Sequence, residues 1–155
     1  MEIDLRLIET AEEATPHLEE LEARGRQALE ELGIEGAPEG FAERFVRTRL
    51  GESETLFLVA ESTPGAADLG LCLFGAMIDP LSGVRRSTLL VLSVAPNLRR
   101  RGLARALVRE ATRLLARRGH TSLAARVPAG DDPLVAMGER WGFTRDWELL
   151  TRDEG

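Results

Sequence analysis

Between residues 88 and 118 the apolar residues change period, from an unbroken run to a three-to-four repeat, across a junction rich in proline, arginine and glycine. Thr88 to Val94 (Thr-Leu-Leu-Val-Leu-Ser-Val) is short, apolar and rich in β-favouring residues, and Pro96 with Asn97 stops it, which predicts a buried strand. From there Leu103, Leu107, Ala111, Leu114 and Leu115, with Val108 beside them, line one face of an α-helix that Gly119 ends. Between strand and helix, Arg99 to Ala104 form a first turn whose backbone N–H groups lack intrahelical partners and face outward with the positive end of the macrodipole. An anionic phosphate fits there. Gly102 and Ala104 let a pyrophosphate approach the backbone closely, and the arginines add positive charge around the mouth.

The pattern Val94-x-Pro96-x-x-Arg99-x-x-Gly102-x-Ala104, after an apolar strand and opening a helix, resembles the acyl-CoA-binding motif Arg/Gln-x-x-Gly-x-Gly/Ala of the GNAT superfamily of N-acyltransferases. Six residues alone recur by chance in arginine-rich chains, so the strand before and the helix after carry the weight. The resemblance implies that a pantetheine arm lies along Leu92, Ser93 and Val94. It further implies that the pyrophosphate rests on the N–H groups of Arg100, Arg101, Gly102, Leu103 and Ala104, with Arg99 and Arg105 reaching phosphates. Arg109, Arg113 and Arg117 read as a solvated stripe.

In that family the strand before the motif and the strand after the long helix splay apart, and an amine attacks the thioester directly in the wedge. Positioning supplies most of the barrier reduction. An N–H donor, here Val94, would polarise the thioester carbonyl. Relatives often carry a tyrosine on the last helix, in a pattern like Asn-x-x-Ala-x-x-Leu-Tyr-x-x-x-Gly-Phe. Anchoring on Gly142-Phe143 sets Asp131 at the asparagine, which joins it to the cofactor-binding set, Met137 at the leucine and Gly138 at the tyrosine. The chain has no tyrosine, so water, Ser93 or the solvent would have to protonate the departing thiolate. Losing a general acid costs about 10²- to 10⁴-fold. Many relatives also place a glutamate on the wedge strand, whereas Thr88 to Val94 holds no carboxylate. Asp79, Asp131 and Glu43 would reach the acceptor pocket only through ordered water, so the catalytic residues stay unassigned.

Length and composition bound the rest. A chain of 155 residues with 43% hydrophobic content suits one globular domain, residues 1–155, burying on the order of 70% of its unfolded surface. No apolar run approaches the roughly 20 residues that span a bilayer, and the acidic N-terminus does not resemble a signal peptide, so a soluble cytoplasmic protein is expected. The single Cys72 lies in an apolar stretch and reads as a core residue. Residues 1–61 carry 16 acids and 6 arginines, net −10, while residues 62–155 carry 10 acids and 14 arginines, net +4. That asymmetry fits a basic half holding a polyanionic cofactor. Eight arginines between Arg99 and Arg118 raise nucleic-acid binding as a rival, but the net charge of −6 and the lack of aromatics there argue against it.

Taken in order, Glu2 to Ile8 alternates as a half-exposed strand. Thr15-Pro16 is preferred over the Thr10/Glu13 capping box as the start of a helix that runs to Gly33 through the weak point Gly25. A connector over residues 33–40 leads to a shorter helix carrying Phe41, Phe45 and Leu50, and the two helices form a lid. Thr55 to Glu61 and Leu69 to Ile78 form an antiparallel hairpin about the turn Ser62-Thr63-Pro64-Gly65, the second strand central. Thr121 to Val127 is a strand, Asp131 and Asp132 cap a last helix through Trp141, and Asp146 to Thr151 is a final strand. His17 and His120 read as surface residues, and no Cys/His cluster suggests a metal.

The order β-α-α-β-β-β-α-β-α-β resembles the GNAT arrangement, which implies an α/β (α+β) fold with a mixed, mostly antiparallel sheet and helices on both faces. Only twelve residues follow Phe143, so the sheet ends early, and its unprotected edge predicts a homodimer. The function implied is transfer of an acetyl group from acetyl-CoA to an amine, without a metal. A catalytically weak acyl-CoA sensor is the alternative. Peptide amine, small polyamine, aminoglycoside and amino acid all remain open as acceptors, as does acyl length.

Overall fold

The computed structural model describes residues 2–63 and 69–154. Strand β3 (Gly70–Ile78) is the middle member of a five-stranded sheet ordered β1 (Asp4–Ile8), β2 (Leu56–Glu61), β3, β4 (Arg85–Val94) and β5 (Leu123–Ala125). Neighbours are antiparallel except β4 and β5, which run parallel. The sequence reads β3 as apolar nearly throughout because both of its faces are covered. Leu71 and Leu73 face one cluster with Phe57 and Val59, whereas Cys72 and Phe74 face another with Leu56, Leu58 and Ala60. Alternation along β2 and β3 thus feeds two cores from one hairpin. Burial pushes the Cys72 thiol well above its usual range.

On the first face lie α1 (Ala11–Ala14), α2 (Leu18–Glu31) and α3 (Phe41–Arg49), which contribute Ala14, Leu21, Ala42 and Val46. On the other lies α4 (Leu103–Arg117), whose Leu103, Leu107, Ala111 and Leu115 are the stripe legible in the sequence. A last helix, α5 (Asp132–Arg140), follows β5. Three of these helices stop alike: after α2, α4 and α5 the N–H groups of Ile34, His120 and Phe143 donate to Leu29, Leu115 and Gly138 carbonyls at 2.9 Å. That closure turns the chain through a left-handed residue, which is Gly119 (φ 92°) in α4.

Five expectations are corrected. Thr10, not Thr15, opens the helical segment: its Oγ1 accepts from Glu13 N at 3.1 Å and donates to Glu13 Oε1 at 3.1 Å, so the Thr10/Glu13 pair caps the helix. Pro16 then breaks α1 after one turn, because it has no N–H to donate, and residues 15–17 form a 3₁₀ turn before α2. That turn carries His17 inward, fully buried, with Nε2 3.2 Å from Arg6 Nη2 and its ring edge-on to Phe57. Arg6 Nε also donates to the buried Glu61 at 2.6 Å, tying β1 to β2.

The fourth correction is the final strand. Residues 146–151 join no ladder, and Trp147, Leu149 and Leu150 are 66%, 79% and 87% exposed. A strand needs a hydrogen-bonding neighbour, and local residue pattern cannot provide one. The strand expected over residues 121–127 shortens to three residues for the same reason. Of the expected turn at 62–65, Pro64 and Gly65 lie outside the described residues.

The start of β4 is fastened by a polar cluster. Arg85 Nε donates to Glu54 at 2.7 Å, Arg85 Nη2 pairs with Glu52, and Ser87 Oγ donates to the Glu54 carbonyl at 2.6 Å. From α4, Arg118 Nη1 donates to the Thr55 carbonyl at 2.8 Å.

Two outcomes test this packing. Leu107→Ala, at a fully buried site, should lower unfolding free energy by about 2–5 kcal/mol in urea titrations; a change under about 1 kcal/mol would show that α4 packs otherwise. The hydrogen bond from Arg85 holds the Glu54 carboxyl below its ordinary 4.5, so its stabilisation is present above that pH and fades as pH falls through the folded value. The stability advantage of wild type over Glu54→Gln should therefore be largest near neutrality and shrink below about pH 4.5.

Candidate active site

Strands β4 and β5 pair only at Ser87–Leu123, Thr88–Ala124 and Leu89–Ala125, with one long bond beyond, from Arg126 N to the Leu89 carbonyl at 3.4 Å. Past that point they part. Register against β3 shifts at the same place, since Leu73 faces Val91 while Phe74 faces Leu89, leaving Leu90 as the extra residue of a bulge. The consequence is a change of facing. Leu89 offers its carbonyl to the β5 side, whereas Ala95 N donates to the Leu69 carbonyl beyond β3 at 2.8 Å. Backbone groups alternate along a strand, so Val91 and Ser93 bond to β3 while Leu92 and Val94 turn their N–H and C=O into the open wedge. Without the bulge the two sets would exchange places.

At the end of β4 a 3₁₀ turn, Pro96–Leu98, buries Leu98 against the α4 face and swings the chain outward. Arg99 is extended, Arg100 has φ 67° and Gly102 has φ 78°, so the loop makes two left-handed steps before α4. A β-carbon on Gly102 would meet nothing within 4 Å, so the glycine is required by its backbone angle and not by crowding. The first intrahelical bond is Ala106 N to the Gly102 carbonyl at 3.0 Å, which leaves the N–H groups of Leu103, Ala104 and Arg105 without helical acceptors. No acidic residue occupies that first turn. Arg99 folds back, its Nε 3.4 Å from the Val94 carbonyl, while Arg100, Arg101 and Arg105 are exposed and ion-paired to nothing among the described residues. The structure therefore brings Leu92, Val94 and residues 99–105 together along one continuous path.

Asp131 is engaged otherwise, as the N-cap of α5, accepting from Leu134 N at 3.1 Å. The other carboxylates considered as bases are occupied too. Asp79 holds its own turn through Ser82 N (2.7 Å) and Ser82 Oγ (2.8 Å), which keep its carboxyl below the usual range. Glu43 is exposed beside Arg47.

A cavity of about 140 Å³ lies between α2, α3 and the bulged part of the sheet. Leu21, Gly25, Phe41 and Phe45 line it from the helices, Leu73, Leu90 and Val91 from the sheet, and Arg126 from the end of β5. The bulge is what turns Leu90 into it. Gly25 is a packing device more than a weak point: a β-carbon there would lie 3.0 Å from the Phe41 ring. Among the described residues the cavity wall holds no carboxylate and no imidazole. Sequence reading missed the cavity and Arg126, although a lone charge inside the apolar run 123–127 was a visible signal.

The family model described as FR47-like protein matches residues 68–151. No curated protein matches the sequence. Among solved structures the chain is similar to ribosomal-protein-alanine N-acetyltransferase from Brucella melitensis biovar Abortus 2308, at 18% identity over 99% of this chain and 100% of that one, with TM-score 0.66. It is similar to the aminoglycoside acetyltransferase AAC(6')-Iy in complex with a bisubstrate analogue, at 16% identity over 100% and 99%, with TM-score 0.72. A predicted acetyltransferase with acetyl-CoA from Clostridium acetobutylicum gives 14% identity over 98% and 96%, with TM-score 0.71. These likenesses bear out the fold expected from the strand–loop–helix motif.

Proposed function

Because the chain belongs to the FR47-like family and carries the GNAT fold, we propose that it is an N-acetyltransferase moving an acetyl group from acetyl-CoA to an amine. The observation that carries this reading is the continuous path of backbone groups turned away from β3, from Leu92 and Val94, whose carbonyl is reached only by the long bond from Arg99 Nε, to the N-terminus of α4. Such a path suits a ligand with amides at one end and phosphates at the other. Leu92, Ser93 and Val94 bind the pantetheine arm, with Ser93 contributing through its side chain because its backbone is committed to β3. The N–H groups of Arg100 to Ala104 take the pyrophosphate, and Arg99 and Arg105 add charge. Asp131, at the asparagine position of the family pattern, completes the cofactor-binding set while its Oδ1 caps α5.

In the reaction a neutral amine attacks the thioester carbonyl, the new C–N bond forms and the C–S bond breaks. The amine loses one proton and the CoA thiolate gains one. Backbone N–H of Val94 stabilises the developing oxyanion. The apolar cavity at the bulge receives the acceptor and excludes water, and holding both reactants there supplies the rate. With no base on the cavity wall, the amine must arrive deprotonated. The same bareness, together with Gly138 in place of a phenol on α5, favours a second reading, an acyl-CoA sensor with little turnover; a broad amine panel separates the two. The free edge of β5 pairs with a second copy under this reading, and a clean monomer by light scattering at working concentration would contradict that.

Two outcomes check the proposal. Acetyl-CoA at about 100 times its dissociation constant adds about 2.7 kcal/mol of stability, raising the melting midpoint by several degrees at roughly 2–4 °C per kcal/mol. Gly102→Glu, strained at positive φ and negative at the phosphate mouth, should lose that rise; no rise in wild type at millimolar acetyl-CoA would overturn the assignment. Secondly, log kcat/KM should climb with unit slope in pH until the acceptor's own amine is deprotonated, since only the neutral amine reacts. A plateau well below the acceptor's pKa would reveal a protein base.

A further inference from the structure

Among the described residues Arg126 is the one charged group on the wall of the cavity, and nothing else in the fold pairs with it. Its Nε is buried without a hydrogen-bond partner, and among the described residues its guanidinium meets no carboxylate. Burial alone pulls its pKa below the ordinary arginine value, with no counter-charge opposing the shift. Arg126 as a whole is half-buried, but leaving its Nε desolvated and unpaired is costly, and structural arginines are normally paired. The other half-buried arginines are: Arg6 with Glu61, Arg24 with Glu20, Arg26 with Glu22 and Arg86 with Asp146.

Cofactor phosphate does not supply the missing partner. Arg126 lies beside Leu89 and the bulge, and Val94 is four residue steps along β4 from Leu90, roughly 13 Å at about 3.3 Å per residue, before the phosphate loop begins. The remaining wall is apolar, and a volume of about 140 Å³ is close to that of engineered cavities of about 150 Å³ that hold a benzene ring.

We infer that Arg126 binds a carboxylate of the substrate within this cavity, so that the reacting partners include an apolar body of about ring or branched-alkyl size bearing a carboxylate. This rests on the acetyltransferase reading for its chemistry and narrows it. An amino acid such as phenylalanine or leucine carries amine, carboxylate and apolar body together. Polyamines and aminoglycosides are disfavoured, because they would bring cations to a wall with one arginine and no acid. The carboxylate can belong to the acceptor or to a dicarboxylic acyl group, and the two are separable.

The test compares phenylalanine with phenethylamine, and 3-phenylpropionate with its amide, by calorimetry on wild type, Arg126→Met and Arg126→Lys, with CoA, which has no acetyl group to transfer, saturating. Charge-assisted bonds of about 1.5–3 kcal/mol correspond to a preference of roughly 10- to 150-fold for the carboxylate in wild type. Arg126→Met should abolish it, Arg126→Lys should keep part of it, and the melting midpoint of free Arg126→Met should not fall. If succinyl-CoA instead binds more tightly than acetyl-CoA, and only while Arg126 is present, the carboxylate belongs to the acyl group. Equal binding of charged and uncharged probes in wild type, with no preference for succinyl-CoA, would overturn the inference even if Arg126→Met failed to fold. Acetyl-CoA binding is read in a separate titration of the ligand-free protein: if it binds while the carboxylates do not discriminate, the Arg126 site fails and the transferase reading stands. Carboxylate binding that depends on Arg126, without any response to acetyl-CoA, would keep the site and remove the transferase reading.

Discussion

The site depends on where two parallel strands stop bonding to each other. β4 and β5 share three residue pairs, and every feature that could bind a substrate lies past the third. Continued pairing would have satisfied the backbone of Leu92 and Val94 and closed the cleft. Instead the bulge at Leu90 reverses which residues face outward, opens the wedge, and turns a leucine into the cavity on the α2 and α3 face. Leu92 and Val94 are only half-buried, so their outward-facing backbone groups stay open to a ligand.

What holds it open is the pair of cores on either face. Leu107, Ala111 and Leu115 lock α4 against β2 and β3, which fixes the helix N-terminus beside the end of β4. Arg85, Glu54 and Ser87 pin the other end of β4 to the loop before β2, so the strand is anchored at its start and splayed at its finish. On the opposite face Phe41 packs over Gly25, with the Arg26 guanidinium 5.1 Å above its ring, and this contact sets the roof of the cavity. Rigid elements thus position groups whose hydrogen bonds are left for a ligand.

The strand–loop–helix around Gly102 was legible because each part has a local cause: an apolar run, a proline stop, a left-handed step and a helical stripe. β3 was legible as central from its lack of alternation. The errors came where a decision rests on groups distant in sequence. Thr15-Pro16 and Thr10/Glu13 are both good local starts, and in the structure Thr10 caps α1 while Pro16 lies in the 3₁₀ turn that follows it. Residues 146–151 have strand composition but no neighbour to bond. His17 sits in a turn that looks exposed, yet Arg6 and Phe57 close over it. Gly25 marked only a weak helix until the ring it accommodates came into view. Arg126 shows the same limit: one charge in a short apolar run has no local meaning, and acquires one only when Leu90 and the α2–α3 roof enclose it.

The central claim is that backbone groups freed by the bulge, together with those at the start of α4, form one cofactor path. Amide chemical shifts followed during titration with acetyl-CoA test it residue by residue. Large shifts at Leu92, Val94, Leu103, Ala104 and Arg105, with much smaller ones at Val91 and Ser93 whose amides stay bonded to β3, are the predicted result. Shifts that spare the open edge of β4, or that fall equally on Ser93 and Val94, would contradict it.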